Sequence, residues 1–319
     1  TMNMDYTDIW RYLLKVGIYF PLILALWLVV YLVNTMSWYL IINDEGRCEG
    51  LSFWRVYKLT VSGFALNYTT PCGLMGGEPY RIMELKPYTG VSKATSSVIL
   101  YVMMHIFSHF WFWFLSIFLF IAFNPVGLSM GILLAVIGGF CLLGIYFFSR
   151  GYKTGMAQKG IHLLTHIPFV KGWAKRFAES KKDTLEQIDS QIALLHQQHK
   201  RTFYSSLLFE LSARVLQSFE IYLILKAFNA EVGIIDSILI LAFSSLFSNL
   251  IFFTPMQLGS REGGLALAVD GLHLTGALGV YTGLITRLRE LVWIAIGIML
   301  IKIGNKNQLP KDTSDNKES

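Results

Sequence analysis

Residues 70–78 read Thr-Pro-Cys-Gly-Leu-Met-Gly-Gly-Glu, and residues 254–262 read Thr-Pro-Met-Gln-Leu-Gly-Ser-Arg-Glu. In both tracts Thr-Pro follows a mostly apolar stretch, and a Glu comes seven positions after the Pro. An Asn precedes each (Asn67, Asn249), and a Thr-Gly pair follows each (Thr89-Gly90, Thr275-Gly276) before a long apolar run. One such match is weak. Two at corresponding places in the two halves of a chain are the mark of an internal repeat.

The surrounding composition says what is being repeated. Of 319 residues, 54% are hydrophobic and only 15% are charged, where a soluble domain carries about a quarter charged residues. Mean hydropathy is +0.49. A water-solvated fold of this size cannot hide so much apolar surface, and disorder, coiled coil, collagen and a disulfide scaffold are excluded as well. A polytopic, all-α membrane protein remains. The 14% of aromatic residues fits that class, because Trp and Tyr collect at bilayer interfaces. The net charge of +6 fits basic cytoplasmic loops rather than nucleic-acid binding. Cys48, Cys72 and Cys141 form no CxxC pair, which argues against a disulfide framework or a zinc ribbon.

Apolar runs give the spans. The first lies between Lys15 and Asp44, and Lys93 to Arg150 holds no internal Asp, Glu, Lys or Arg. The latter is long enough for crossings near 95–123 and 128–149, with Asn124-Pro125-Val126-Gly127 as the turn. Residues 150–202 are basic, and their part from about 173 to 199 reads as an amphipathic helix. The positive-inside rule makes this connector cytoplasmic. It is equally readable as a lipid-surface helix or as a solvated link between halves. Further spans lie near 203–229 and 277–302, and the tail 304–319 is polar.

With the connector inside, span 203–229 goes out and span 277–302 returns, so 237–274 must leave and re-enter from the outer side. The same logic makes 51–90 a hairpin entering from the inside. The expected organisation is therefore two inverted repeats, 1–149 and 203–303, each with a re-entrant helical hairpin. This arrangement leaves Arg11 and Lys15 outside. The alternative makes 51–70 and 237–254 full crossings, with the amino terminus inside. Inverted repeats with broken helices point to a transporter site near the midplane.

Each tip carries the parts of an anion site. Gly76 and Gly77 permit a tight turn, Pro79 suits the first turn of a helix, and a helix N-terminus offers N–H groups and partial positive charge. Glu78 and Arg81 sit in that turn; Gly259, Ser260, Arg261 and Glu262 repeat the set. Either loop alone could be an ordinary solvated ion pair. The second signal is charge inside spans, which costs about 2.5–3.5 kcal/mol per group on insertion scales. Glu210 and Arg214 share a helical face, as do Arg287 and Glu290, while Arg289 points elsewhere. Such residues line a polar path or lock helices together. His105/His109 and His162/His166 have metal-binding spacing, yet no third ligand accompanies either pair, and they read as structural. No catalytic nucleophile, metal site or cofactor motif is found.

The pattern Asn67…Pro71…Gly76-Gly77-Glu78…Arg81…Leu85…Gly90…Ala94, with Pro255…Gly259…Glu262 later, resembles the lysylphosphatidylglycerol synthase transmembrane region, the flippase-like domain family. The resemblance covers roughly residues 10–303, with Met256-Gln257-Leu258 where family members have a Pro-Gly-Gly-type motif. It implies a bacterial or archaeal inner-membrane protein that moves a lipid between leaflets. The aminoacyl-transferase domain of the two-domain synthases is not expected here. Three functions stand side by side: a flippase for an anionic phospholipid or lipid-linked intermediate; a membrane-embedded transferase on a lipid-linked substrate; and a non-catalytic membrane partner of a separate lipid-modifying enzyme.

Overall fold

A computed structural model describes residues 15–69, 76–150, 199–251, 259–272 and 274–304. The amphipathic stretch 173–199 up to residue 198, most of the connector and the tail beyond residue 304 fall outside the described residues, as do the central parts of both tips. Eight helices are described: α1 (Tyr19–Ile42), α2 (Phe53–Thr69), α3 (Gly77–Phe123), α4 (Leu128–Arg150), α5 (Lys200–Ala227), α6 (Ile234–Leu250), α7 (Ser260–Asp270) and α8 (Gly276–Gly304). The described residues contain no strand. Three helices, α1, α3 and α4, are long and apolar enough to cross a bilayer. The chain is a membrane protein, helical throughout its described secondary structure.

α1 is helical because nothing charged or helix-breaking interrupts it after Pro21 in its first turn. It buries Ile23, Trp27, Val30, Tyr31, Asn34, Trp38 and Ile41, the spacing of a single helical face. That face lies along α5. Ser37 and Ser206 exchange Oγ-to-carbonyl hydrogen bonds at 3.3 Å, and Trp27 reaches Glu220, so the two helices run antiparallel. α2 and α8 are also antiparallel, with Ser62 Oγ on the Gly297 carbonyl and Tyr68 on Glu290. At this crossing a Cβ on Gly297 would lie 2.6 Å from Ala65 Cβ and 2.9 Å from the Val61 carbonyl oxygen. Close approach of backbones at small residues is the usual way membrane helices pack.

α2 and α6 are each 17 residues long, short of the roughly 20 that a crossing needs. Each is followed by a tip tract and another helix. α3 is two helices in one: Pro87 removes a backbone donor, and Gly90 at φ 77°, ψ 165° leaves the helical region altogether. Only glycine adopts that conformation freely. The arm from Gly77 to Thr89 and the span from Val91 to Phe123 therefore meet at an angle set by Gly90.

α4 packs on α3 and leaves Leu128, Ile132, Val136 and Leu143 exposed, a surface suited to lipid. A cavity of about 170 Å³ between α3, α4, α6 and α7 is walled by apolar side chains including Phe120, Leu134, Leu246 and Leu272.

Candidate functional site

Among the described residues, the charged side chains buried in the spans fall into three clusters. The largest surrounds the second tip. Gly259, at φ 81°, caps α7, and this positive φ is the conformation the glycine supplies. Its N–H donates to Glu262 Oε2 at 2.8 Å. Glu262 Oε1 accepts from Arg287 Nε at 3.0 Å. Arg287 Nη1 also reaches Glu290 Oε2 at 3.3 Å, and Arg261 donates to Glu290 Oε1. Tyr68, at the end of α2, places its hydroxyl 3.4 Å from the same Oε1.

The network continues inward. Arg289 donates to Glu220 through Nε at 2.9 Å and Nη2 at 2.8 Å, a bidentate fork. Trp27 Nε1 donates to Glu220 Oε2 at 2.8 Å, and the guanidinium stacks 3.6 Å above the Trp27 ring. Arg289 Nη1 lies 3.8 Å from Glu290 Oε1, which joins the two parts. Three arginines (261, 287, 289) thus meet three glutamates (220, 262, 290), and the formal charges cancel.

The second cluster is at the first tip. Asn67 holds both sides of it: its Oδ1 accepts from the Gly77 N–H at 2.7 Å, and its Nδ2 donates to Glu78 Oε1 at 3.0 Å. Arg81 is buried. It donates to the carbonyls of Leu59 and Thr60, lies 3.6 Å from Glu78 Oε1, and sits beside the stacked rings of Trp38 and Tyr101. The glycines here act through close approach rather than turn geometry. Gly76 has an ordinary right-handed conformation. A Cβ on Gly77, however, would stand 2.2 Å from the Gly63 carbonyl oxygen. Pro79 is the third residue of α3 rather than the first, still within the turn whose N–H groups have no helical partner.

The third cluster lies between α3 and α5, which run parallel here. His105 Nδ1 is 2.8 Å from Glu210 Oε2. Arg214 donates to Ser108 Oγ at 2.8 Å and to the His105 carbonyl at 2.7 Å. Glu210 and Arg214 are both buried, yet they do not close the i,i+4 pair that their spacing suggests: each turns to α3 instead.

The sequence-derived residues are therefore distributed. Gly259, Ser260, Arg261, Glu262, Arg287 and Glu290 stand together at the second tip, with Ser260 buried as the first residue of α7. Gly76, Gly77, Glu78 and Arg81 form the first tip. Glu210 and Arg214 make the third cluster. Trp27, Tyr68, His105, Glu220 and Arg289 complete these networks without having been singled out as site residues. Arg289 was visible as a span charge on a face of its own, with no local partner; a Trp or Tyr donor gives no such signal.

Chemically, each tip already holds a carboxylate where an anion would sit. Glu262 accepts from the backbone N–H at the start of α7 and from Arg287 at once, the donor set that binds phosphate well. Compared with known families, residues 1–297 match the model of the lysylphosphatidylglycerol synthase TM region. The chain belongs to this family. No curated protein and no solved structure matches it.

Proposed function

We propose that this family member is a lipid transporter that carries an anionic phospholipid or lipid-linked intermediate between leaflets and forms no covalent bond. The observation that carries the reading is the charge-neutral network of Arg261, Arg287, Arg289, Glu220, Glu262 and Glu290 inside a membrane domain. Arginines that hold carboxylates in the resting state can exchange them for a lipid phosphate without creating a bare charge in hydrocarbon. The acyl chains stay in lipid while the headgroup follows the polar path. Arg81 and Glu78 offer the matching station at the first tip.

The same reading makes the two halves inverted repeats, 1–149 and 203–303, with re-entrant hairpins at about 51–90 and 237–274. The connector 150–202 is then cytoplasmic, in a bacterial or archaeal inner membrane. The helix directions support this reading. If 51–70 and 237–254 were full crossings with the amino terminus inside, α1 would run parallel to α5; the two run antiparallel. Two inverted halves supply two near-equivalent states, one open to each leaflet.

The test is reconstitution into liposomes carrying fluorescent anionic phospholipids or polyprenyl phosphates. Leaflet exchange should exceed that of empty liposomes and fall in Arg81→Ala and Arg261→Ala. Chemical change of a lipid without exchange would overturn the transporter reading in favour of a transferase. Single cysteines at Gly46 and Leu272 should label from opposite faces of intact vesicles; labelling from one face would remove the inverted arrangement.

A further inference from the structure

Glu210 is the exception among the buried carboxylates of the spans. Both oxygens of Glu220 and of Glu290 are held by guanidinium groups. Glu210 is 1% exposed; its Oε2 meets only His105, and its Oε1 has no hydrogen-bond partner. The cation one turn away, Arg214, is spent on Ser108 and on a backbone carbonyl. One oxygen of this buried carboxylate is therefore bare, a costly arrangement that no guanidinium relieves.

Its single partner is the side chain best suited to pass a proton. His105 leaves 40% of its side chain exposed, so the dyad has one outward end and one buried end. His109 packs edge-on against it, with ring centroids 5.4 Å apart, and buries an Nδ1 that also lacks a partner.

Among the described residues, the other charged groups on the neighbouring helices are committed elsewhere, Arg81 of α3 to the Leu59 and Thr60 carbonyls and to Glu78. α1 carries no Asp, Glu, Lys, Arg or His. On α6, Asp236 is committed to the Gly233 N–H. On α8, Arg289 is committed to Glu220. On α3, Tyr101 lies beyond His105 and is covered by Arg81.

We infer that His105 and Glu210 form a proton-binding site whose occupancy drives lipid movement; the coupling rests on the transporter reading above, the proton site does not. A proton enters at the exposed edge of His105 and ends on the buried pair, which gains one positive charge and loses none of its bonds to heavy atoms. With Glu210 neutralised, the charge of Arg214 between α3 and α5 is no longer balanced, and the contact of Arg214 with the His105 carbonyl and Ser108 is biased toward opening. Intramembrane Glu and His residues serve as proton relays in pumps and transporters for this physical reason.

The proton site is tested by pH-difference infrared spectra of the reconstituted protein. Acidification should raise a protonated-carboxyl band that Glu210→Gln abolishes and whose midpoint His105→Gln moves by about one pH unit or more. The His105 variant keeps the measurement available if Glu210→Gln does not fold. A band unchanged in both variants overturns the site. Coupling is read as fluorescent anionic lipid exchange under an imposed pH difference. One proton per lipid shifts the leaflet ratio by up to about tenfold per pH unit; a ratio indifferent to the gradient overturns coupling. If the wild-type protein exchanges no lipid at all, the transporter reading fails while the infrared band still decides the proton site.

Discussion

Replacing Arg289 with leucine removes both guanidinium bonds from Glu220, at 2.8 and 2.9 Å, together with the stack 3.6 Å above Trp27. Glu220 is 4% exposed, so no water takes over, and the Trp27 indole alone remains as donor. Charge-assisted hydrogen bonds contribute about 1.5–3 kcal/mol each and a desolvated cation–π contact about 2 kcal/mol, but these overlap. Breaking a buried pair by deleting one partner costs about 3–5 kcal/mol overall. At a conversion of about 2 °C per kcal/mol for a large domain, the melting temperature in detergent should fall by about 6 °C or more. Glu220→Leu should cost a similar amount, because it strands Arg289. The double variant Glu220→Leu/Arg289→Leu should be far better than the sum, since it leaves no uncompensated charge. The assay is thermal unfolding of the purified single and double variants side by side. Strict additivity, or single variants that melt with the wild type, would refute the argument that the pair is desolvated and mutually dependent.

Two further outcomes follow from geometry. Gly77→Ala should be destabilising by about 1–3 kcal/mol, because its Cβ meets the Gly63 backbone carbonyl at 2.2 Å, whereas Gly139→Ala meets nothing within 4 Å and should melt within about 0.5 kcal/mol of wild type or above it. Glu262→Gln leaves the network one positive charge in excess and should raise the phospholipid that co-purifies per protein molecule in a phosphorus assay; no increase counts against Glu262 standing in for a lipid phosphate.

The span boundaries were legible in the sequence because they rest on composition. The uncharged run between Lys15 and Asp44 contains α1, and the Asn124–Gly127 turn separates α3 from α4. The second tip was legible for a similar reason: Arg261, Glu262, Arg287 and Glu290 are charges in apolar surroundings, and they do converge. What escaped were partners chosen by packing. Glu210 and Arg214 have the spacing of a local pair, but α3 offers both of them better partners, and the closest is 105 residues away. His105 was read as structural because its carboxylate partner lies on a helix that no local window contains. The role of Gly77 was also hidden: a turn and a close approach to Gly63 demand the same residue, and only the packing of α2 against α3 separates them.

The buried network also has a history, because its members are made at different times. α5 and α8 are long but carry charged residues within them, whereas α1, α3 and α4 each hold a stretch long and apolar enough to cross a bilayer. Glu220 is synthesised 69 residues before Arg289, which at about 5–20 residues per second is a wait of about 3–14 s. Trp27 waits for Glu220 across 193 residues. During the interval Glu220 lacks the guanidinium fork that holds it in the finished fold. The network is thus complete only once α8 has been made, and α1, α3 and α4, the helices apolar enough to cross a bilayer, all precede it in the chain.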